Sequence, residues 1–105
     1  MDPFTHAMSI LGLAMRAGMV TSGGDLCEKA ARGKNAGILL LDSSSSDNTR
    51  DKFQGICKGR NLPMYLLPQD ALGSAIGKPG RMVAVVAKGA LCQKLATLLQ
   101  GGSEG

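Results

Sequence analysis

Two short stretches of this 105-residue chain carry residue types whose spacing could do chemistry. The first is Ser22-Gly23-Gly24-Asp25, at the mouth of a helical pattern that runs from Gly24 to about Arg32. Glycines let a backbone approach a ligand closely. Free N–H groups at a helix start, together with the helix dipole, attract an anion such as phosphate. Lys29 stands four residues after Asp25 and projects from the same face, and Arg32 and Lys34 extend that surface. The same residues also fit an ordinary glycine helix start carrying an Asp–Lys pair. The second stretch is Gly77-Lys78-Pro79-Gly80-Arg81, a turn with two cations directly before an apolar strand pattern. Loops ahead of strands carry function more often than cores do. This stretch too has a plainer reading, a basic turn whose glycines serve geometry.

Other chemistries lack their parts. Gly77-Lys78 has neither the preceding glycine spacing nor the following Ser/Thr of a phosphate-binding P-loop, and no G-x-G-x-x-G occurs. The one histidine, His6, lies in or beside the first few residues, so no Ser-His-Asp set and no histidine base for a cysteine can be assembled. Ser43 to Ser46 has no elbow glycines and reads as a solvated polar loop. Cys27, Cys57 and Cys92 are odd in number and widely spaced, which suits neither a disulfide framework nor a zinc site. They read as reduced thiols among apolar neighbours in a cytoplasmic protein. The expectation is a non-enzymatic protein with no catalytic residue, no metal and no cofactor.

The charge balance points to a partner. The formal net charge is +4, and from Ala71 to Ser103 there are four basic residues and no acid. A basic surface concentrates polyanions, of which nucleic acid is the commonest. With only Phe4, Phe53 and Tyr65 as aromatic residues, a base-stacking platform cannot be built. An RNA partner would be read as a folded shape, through backbone N–H groups, polar side chains and cations. The longest wholly apolar run, Met82 to Ala87, is far short of the ~20 residues of a membrane helix, so no membrane partner is expected.

The elements that must position these residues alternate. Helical spacing spans Ser9–Ala17, Gly24–Arg32, Ser46 or Asp47 to Lys58, Gln69–Ile76 and Ala90–Leu99. Strand patterns fall at Met19–Thr21, Gly37–Leu41, Pro63–Leu67 and Met82–Ala87. Ile38-Leu39-Leu40-Leu41 does not alternate, which suits a strand covered on both faces. The expected fold is α/β, a three-layer α-β-α sandwich of about four strands with helices on both faces. One domain is expected over residues 8–100. Residues 1–6 are expected to be vector-derived or disordered, and residues 101–105 a flexible tail.

Four segments in this order carry a resemblance. Leu11-Gly12-Leu13-Ala14-Met15-Arg16-Ala17-Gly18, Ser22-Gly23-Gly24-Asp25-Leu26-Cys27-Glu28-Lys29-Ala30, Leu72-Gly73-Ser74-Ala75-Ile76-Gly77-Lys78 and Val83-Ala84-Val85-Val86 resemble the L-seven-Ae ribosomal protein superfamily, most closely its bacterial YlxQ-type branch. The similarity runs from about Met8 to Leu99. It implies a single α-β-α sandwich that binds structured RNA, expected to be ribosomal RNA, with the ribosome or its associated proteins as partners. It also implies that the start of the second helix and the loop before the last strand lie side by side. Carried over by position, Gly23 and Gly24 would give close backbone approach and Lys29 would contact phosphate. Ile76 and Met82 would flank the RNA, with Lys78 and Arg81 supplying charge. Kink-turn binders carry Asn-Glu where this chain has Asp25-Leu26. Aspartate cannot donate a hydrogen bond, and leucine neither donates nor accepts. The implied kink-turn specificity is therefore altered. An exposed leucine at that position also suits a protein-interaction module on the same fold.

Overall fold

A computed structural model of the chain describes residues 2–104, with side chains described for 2–100. Nine elements alternate: α1 (Pro3–Arg16), β1 (Val20–Ser22), α2 (Gly24–Ala31), β2 (Ala36–Asp42), α3 (Asp47–Arg60), β3 (Met64–Leu67), α4 (Ala71–Ile76), β4 (Val83–Ala87) and α5 (Ala90–Glu104). The strands form one sheet in the order β1-β4-β2-β3. β2 pairs with β3 in parallel, and β4 runs antiparallel to both β1 and β2.

The unbroken apolar runs of β2 and β4 are explained by two cores. Side chains along a strand alternate between faces. Ile38 and Leu40, with Ala84 and Val86, pack with Leu11 of α1, Leu72 of α4 and Leu95 of α5. Leu39 and Leu41, with Val83 and Val85, pack with Cys27 of α2 and with Phe53 and Ile56 of α3. Helices therefore cover both faces of the sheet, and the expected three-layer α-β-α sandwich is borne out.

Two local readings need correction. Residues 1–6 were expected to carry no structural pattern, yet α1 begins at Pro3 and Asp2 is its N-cap. The Asp2 carboxylate accepts the Thr5 amide at 2.7 Å and the Thr5 hydroxyl at 2.9 Å, and proline is favoured in the first helical turn. Phe4 and Met8 pack against the core, which gives this added turn a reason to form. The loop after β2 is not simply solvated either. Asp42 is fully buried and Ser45 nearly so. The tail expected at 101–105 lies outside the residues whose side chains are described.

The strand register brings three chain segments to one end of the sheet. Ser22 at the end of β1 stands beside Ala84, and Leu41 near the end of β2 stands beside Val83. The Gly23 amide donates to the Val83 carbonyl at 3.3 Å, and the Asp42 amide donates to the Met82 carbonyl at 2.8 Å. The start of α2, the loop before β4 and the loop after β2 thus share one pole.

A candidate nucleic-acid interface at one pole of the sheet

Gly23 is the N-cap of α2, with φ 98° and ψ 144°, and no side chain caps the helix. The backbone there is open only to glycine, because a Cβ clashes at such positive φ. A Cβ on Gly23 would also stand 2.6 Å from Nη1 of Arg81, so the missing side chain makes room for the guanidinium. A cation at a helix start adds to the positive end of the dipole instead of offsetting it. No carboxylate pairs with Arg81 among the described residues. The result is a surface of uncapped N–H groups and the Arg81 cation, suited to an anion, with the exposed Asp25 carboxylate in the same first turn. Gly24 is exposed, and a Cβ there would meet nothing within 4 Å, so the fold does not itself require glycine at that position.

The loop before β4 is held from two sides. α4 ends at Gly77, whose left-handed φ of 73° lets its amide bond back to the carbonyls of Gly73 and Ser74. The Lys78 amide bonds to the Gly73 carbonyl at 2.9 Å. A Cβ on Gly73 would lie 2.8 Å from the Lys78 carbonyl oxygen and 3.1 Å from Pro79 Cα, so this glycine lets the loop pack directly on α4. Gly80 takes φ 85°. The glycines of this loop set its path, while Lys78 is exposed and Arg81 half-buried.

Asp42 ties the neighbouring loop to the same frame. Its carboxylate accepts the Ser44 hydroxyl at 2.6 Å, the Ser44 amide at 2.8 Å and the Asp70 amide at 2.8 Å. Burial pushes its pKa up, but these three hydrogen bonds outweigh the burial and hold it below the usual aspartate value. The Ser44 hydroxyl lies 3.7 Å from the Met82 sulfur. Sequence reasoning overlooked Asp42. The signal was present as Asp-x-Ser after an apolar strand, the pattern of a side chain that bonds the backbone two residues on.

The sequence-derived site residues divide. Gly23, Gly24, Asp25 and Leu26 open α2, and Lys78, Arg81 and Met82 lie in or beside the facing loop. Asp25 is exposed and does not pair with Lys29. The ion pairs among the described residues join Glu28 to Arg32 at 3.6 Å and to Lys52 at 2.9 Å. Leu26 is 63% exposed and, with Lys29, lines a groove beside β1. Two residues do not line the surface of the pole. Ile76, expected to flank a ligand, is only 6% exposed and packs in the core with Leu72, because the inward stripe of α4 runs through both. Arg32 lies past the far end of α2, about 10 Å along the axis from Asp25, where it pairs with Glu28.

Cys27, at the base of α2, donates its thiol to the Thr21 carbonyl at 3.2 Å. Burial pushes its pKa up to about 11, against a smaller opposing influence from Arg81. All three cysteines are unpaired and buried. No helix among the described residues is long and apolar enough to cross a membrane.

A three-layer domain with a basic, glycine-lined pole matches a known class. Residues 5–96 match the model of the ribosomal protein L7Ae/L30e/S12e/Gadd45 family, and the chain belongs to that family. Among curated relatives, the RNA-binding protein YlxQ of Bacillus subtilis is 38% identical over 91 residues, which span 86% of this chain and 91% of the relative. The RNA-binding protein YlxQ of Enterococcus faecium is 31% identical over 96 residues, spanning 90% and 92%. A protein of unknown function from Bacillus halodurans superposes with a TM-score of 0.84 at 30% identity, covering 90% of this chain and 96% of that one. A 15.5 kD RNA-binding protein from Giardia lamblia shares the fold, with a TM-score of 0.75 at 16% identity over 97% of this chain and 88% of its own.

Proposed function

We propose that this chain is a non-enzymatic protein that binds structured RNA, ribosomal RNA in the first instance, in the cytoplasm. The observation that carries the reading is the placement of the Arg81 guanidinium against Gly23, in the space a side chain there would fill, at an uncapped helix start. Membership of the L7Ae family and the printed names of the YlxQ relatives support it. RNA phosphates would seat on the N–H groups of α2 and on Arg81 and Lys78. Close approach would be open at Gly24. Asp25-Leu26 cannot read base edges as an Asn-Glu pair would, because leucine offers no hydrogen bond. Losing such a readout costs ~1–3 kcal/mol of discrimination per base pair. Kink-turn specificity is altered accordingly, and shape and phosphate contacts dominate. No cofactor takes part.

The test is a titration of ribosomal RNA fragments and a kink-turn RNA at two salt concentrations. Binding should weaken as salt rises, and Lys29→Ala with Arg81→Ala should lower the salt dependence. Affinity indifferent to both would overturn the reading.

The exposed Leu26 favours a second reading, a protein-interaction module that keeps the fold without RNA readout. Partners in a pull-down that persist after nuclease treatment would select it over the first.

A further inference from the structure

Two basic depressions flank the connection between α2 and β2. The groove that starts at Leu26 and Lys29 has a volume of about 440 Å³ and includes Lys34 and Val85. A second cavity of about 550 Å³ lies at the opposite end of the sheet, where β2 begins and β4 ends, and is lined by Lys34, Arg60 and Lys88. Gly33, Lys34 and Ala36, at the connection between α2 and β2, line both, so the two depressions adjoin across that segment. No aspartate or glutamate lines either one. The backbone at this end is built to bring the lysines together. The Lys88 amide donates to the Asn35 carbonyl at 2.8 Å, and Gly37 sits at an irregularity in the β2–β4 register. A Cβ on Gly37 would lie 2.5 Å from the Cys92 sulfur and 3.2 Å from Lys88 Cα, so glycine is what lets the strands close there.

We infer that these two depressions, bridged at Lys34, form a track for an unpaired RNA strand that leaves the structured element held at Gly23 and Arg81. The inference rests on the RNA-binding reading above and adds a second contact surface to it. Helix α2 spans about 12 Å, so the track carries the strand from its N-terminal site to the opposite pole. Lys29, Lys34 and Lys88 are exposed and form no ion pair among the described residues. They offer point charges to successive phosphates. Leu26 and Val85 give a sugar or base an aliphatic surface to lie on, in place of the aromatic platform the chain lacks. Arg60 has another task, since its guanidinium donates to the Arg32 carbonyl at the end of α2. The lysines form no such bond among the described residues.

The experiment uses the full chain, a kink-turn RNA with blunt ends, and the same RNA carrying a 12-nucleotide oligouridine tail on either end. Wild type should bind one tailed RNA roughly tenfold more tightly than the blunt RNA. Lys34→Gln with Lys88→Gln should remove that advantage and lower the salt slope of the tailed complex by about 1.4, at ~0.7 per single-strand phosphate contact. In Lys88→Gln alone, blunt RNA affinity and the thermal midpoint should stay unchanged while part of the tail advantage is lost. Equal binding of tailed and blunt RNA by wild type, or a tail advantage that survives in the double variant, would overturn the track while leaving the first site standing. Failure of wild type to bind any of these RNAs would overturn both.

Discussion

Nη1 of Arg81 lies 2.6 Å from the place a Cβ on Gly23 would occupy. A residue with no side chain and a residue with a long cationic one, far apart in sequence, are therefore parts of one surface. Neither makes that surface alone: the glycine opens the helix start, and the arginine charges it.

This relationship predicts different behaviour at adjacent glycines. Gly23→Ala forces a Cβ into a backbone conformation that costs ~1–3 kcal/mol and pushes Arg81 aside. Its thermal midpoint should fall by about 4–8 °C per kcal/mol for a domain of this size. Gly24→Ala meets nothing within 4 Å at a helical position and should leave stability equal or raise it by up to ~1 kcal/mol. RNA affinity should drop in both. A Gly24→Ala protein with unchanged affinity would show that no ligand backbone approaches there. Thermal melts paired with binding isotherms decide.

A second pair of glycines separates loop packing from helix propensity. Gly73→Ala places a Cβ 2.8 Å from the Lys78 carbonyl oxygen and must displace the basic loop, at a cost of ~1–3 kcal/mol. Gly55 lies in α3 with open space around it, so Gly55→Ala should stabilise by ~0.5–1 kcal/mol. Urea denaturation of the two variants should move the midpoint in opposite directions.

Sequence reading succeeded where one pattern answers one question. The unbroken Ile38–Leu41 run required cover on both faces, and the fold supplies it with two cores. The helical pattern expected to start at Ser46 or Asp47 does so, with Ser46 as the cap that accepts the Thr49 amide. It failed where a residue's fate depends on a distant partner. The helical start within residues 1–6 is not legible because α1 is held there by tertiary contacts of Phe4 and Met8, which no local pattern shows. The resemblance implies that Ile76 flanks RNA, whereas the inward stripe of α4, too short on a six-residue helix to read from spacing, buries it. The meeting of Gly23 and Arg81 depends on β1 and β4 pairing, and only the family resemblance anticipated it.

Asp42 makes stability depend on pH with a definite sign. Its pKa is lower in the folded chain than the usual ~3.9 of an unfolded aspartate, so the folded carboxylate is favoured above that value. Its stabilisation is fully present above about pH 4–5 and is lost as pH falls through the folded pKa. Asp42→Asn should destabilise by ~1–3 kcal/mol near neutral pH, because an amide cannot accept all three hydrogen bonds. The gap from wild type should narrow in acid. Denaturant titrations from pH 7 to pH 3 test it, and a gap that stays constant would contradict this role.

The cysteines should be silent in the native protein. Burial raises the pKa of Cys27, Cys57 and Cys92, so little thiolate forms at pH 8. A disulfide-exchange reagent should label none of them rapidly in the folded state and all three after unfolding in guanidinium. Rapid labelling of Cys27 in the native chain would mean that α2 opens far more readily than its packing implies.

The most direct test of the RNA-binding pole compares two cations of equal charge on opposite faces. Arg81 stands over the start of α2, while Lys94 is exposed on α5, on the other side of the sheet. The slope of log affinity against log salt should be measured on a kink-turn RNA for wild type, Arg81→Ala and Lys94→Ala. Arg81→Ala should weaken binding and reduce the slope by about 0.7–0.9, while Lys94→Ala should match wild type. Equal losses from the two variants would mean that RNA is drawn only by net charge, and the site at Gly23 and Arg81 would be contradicted.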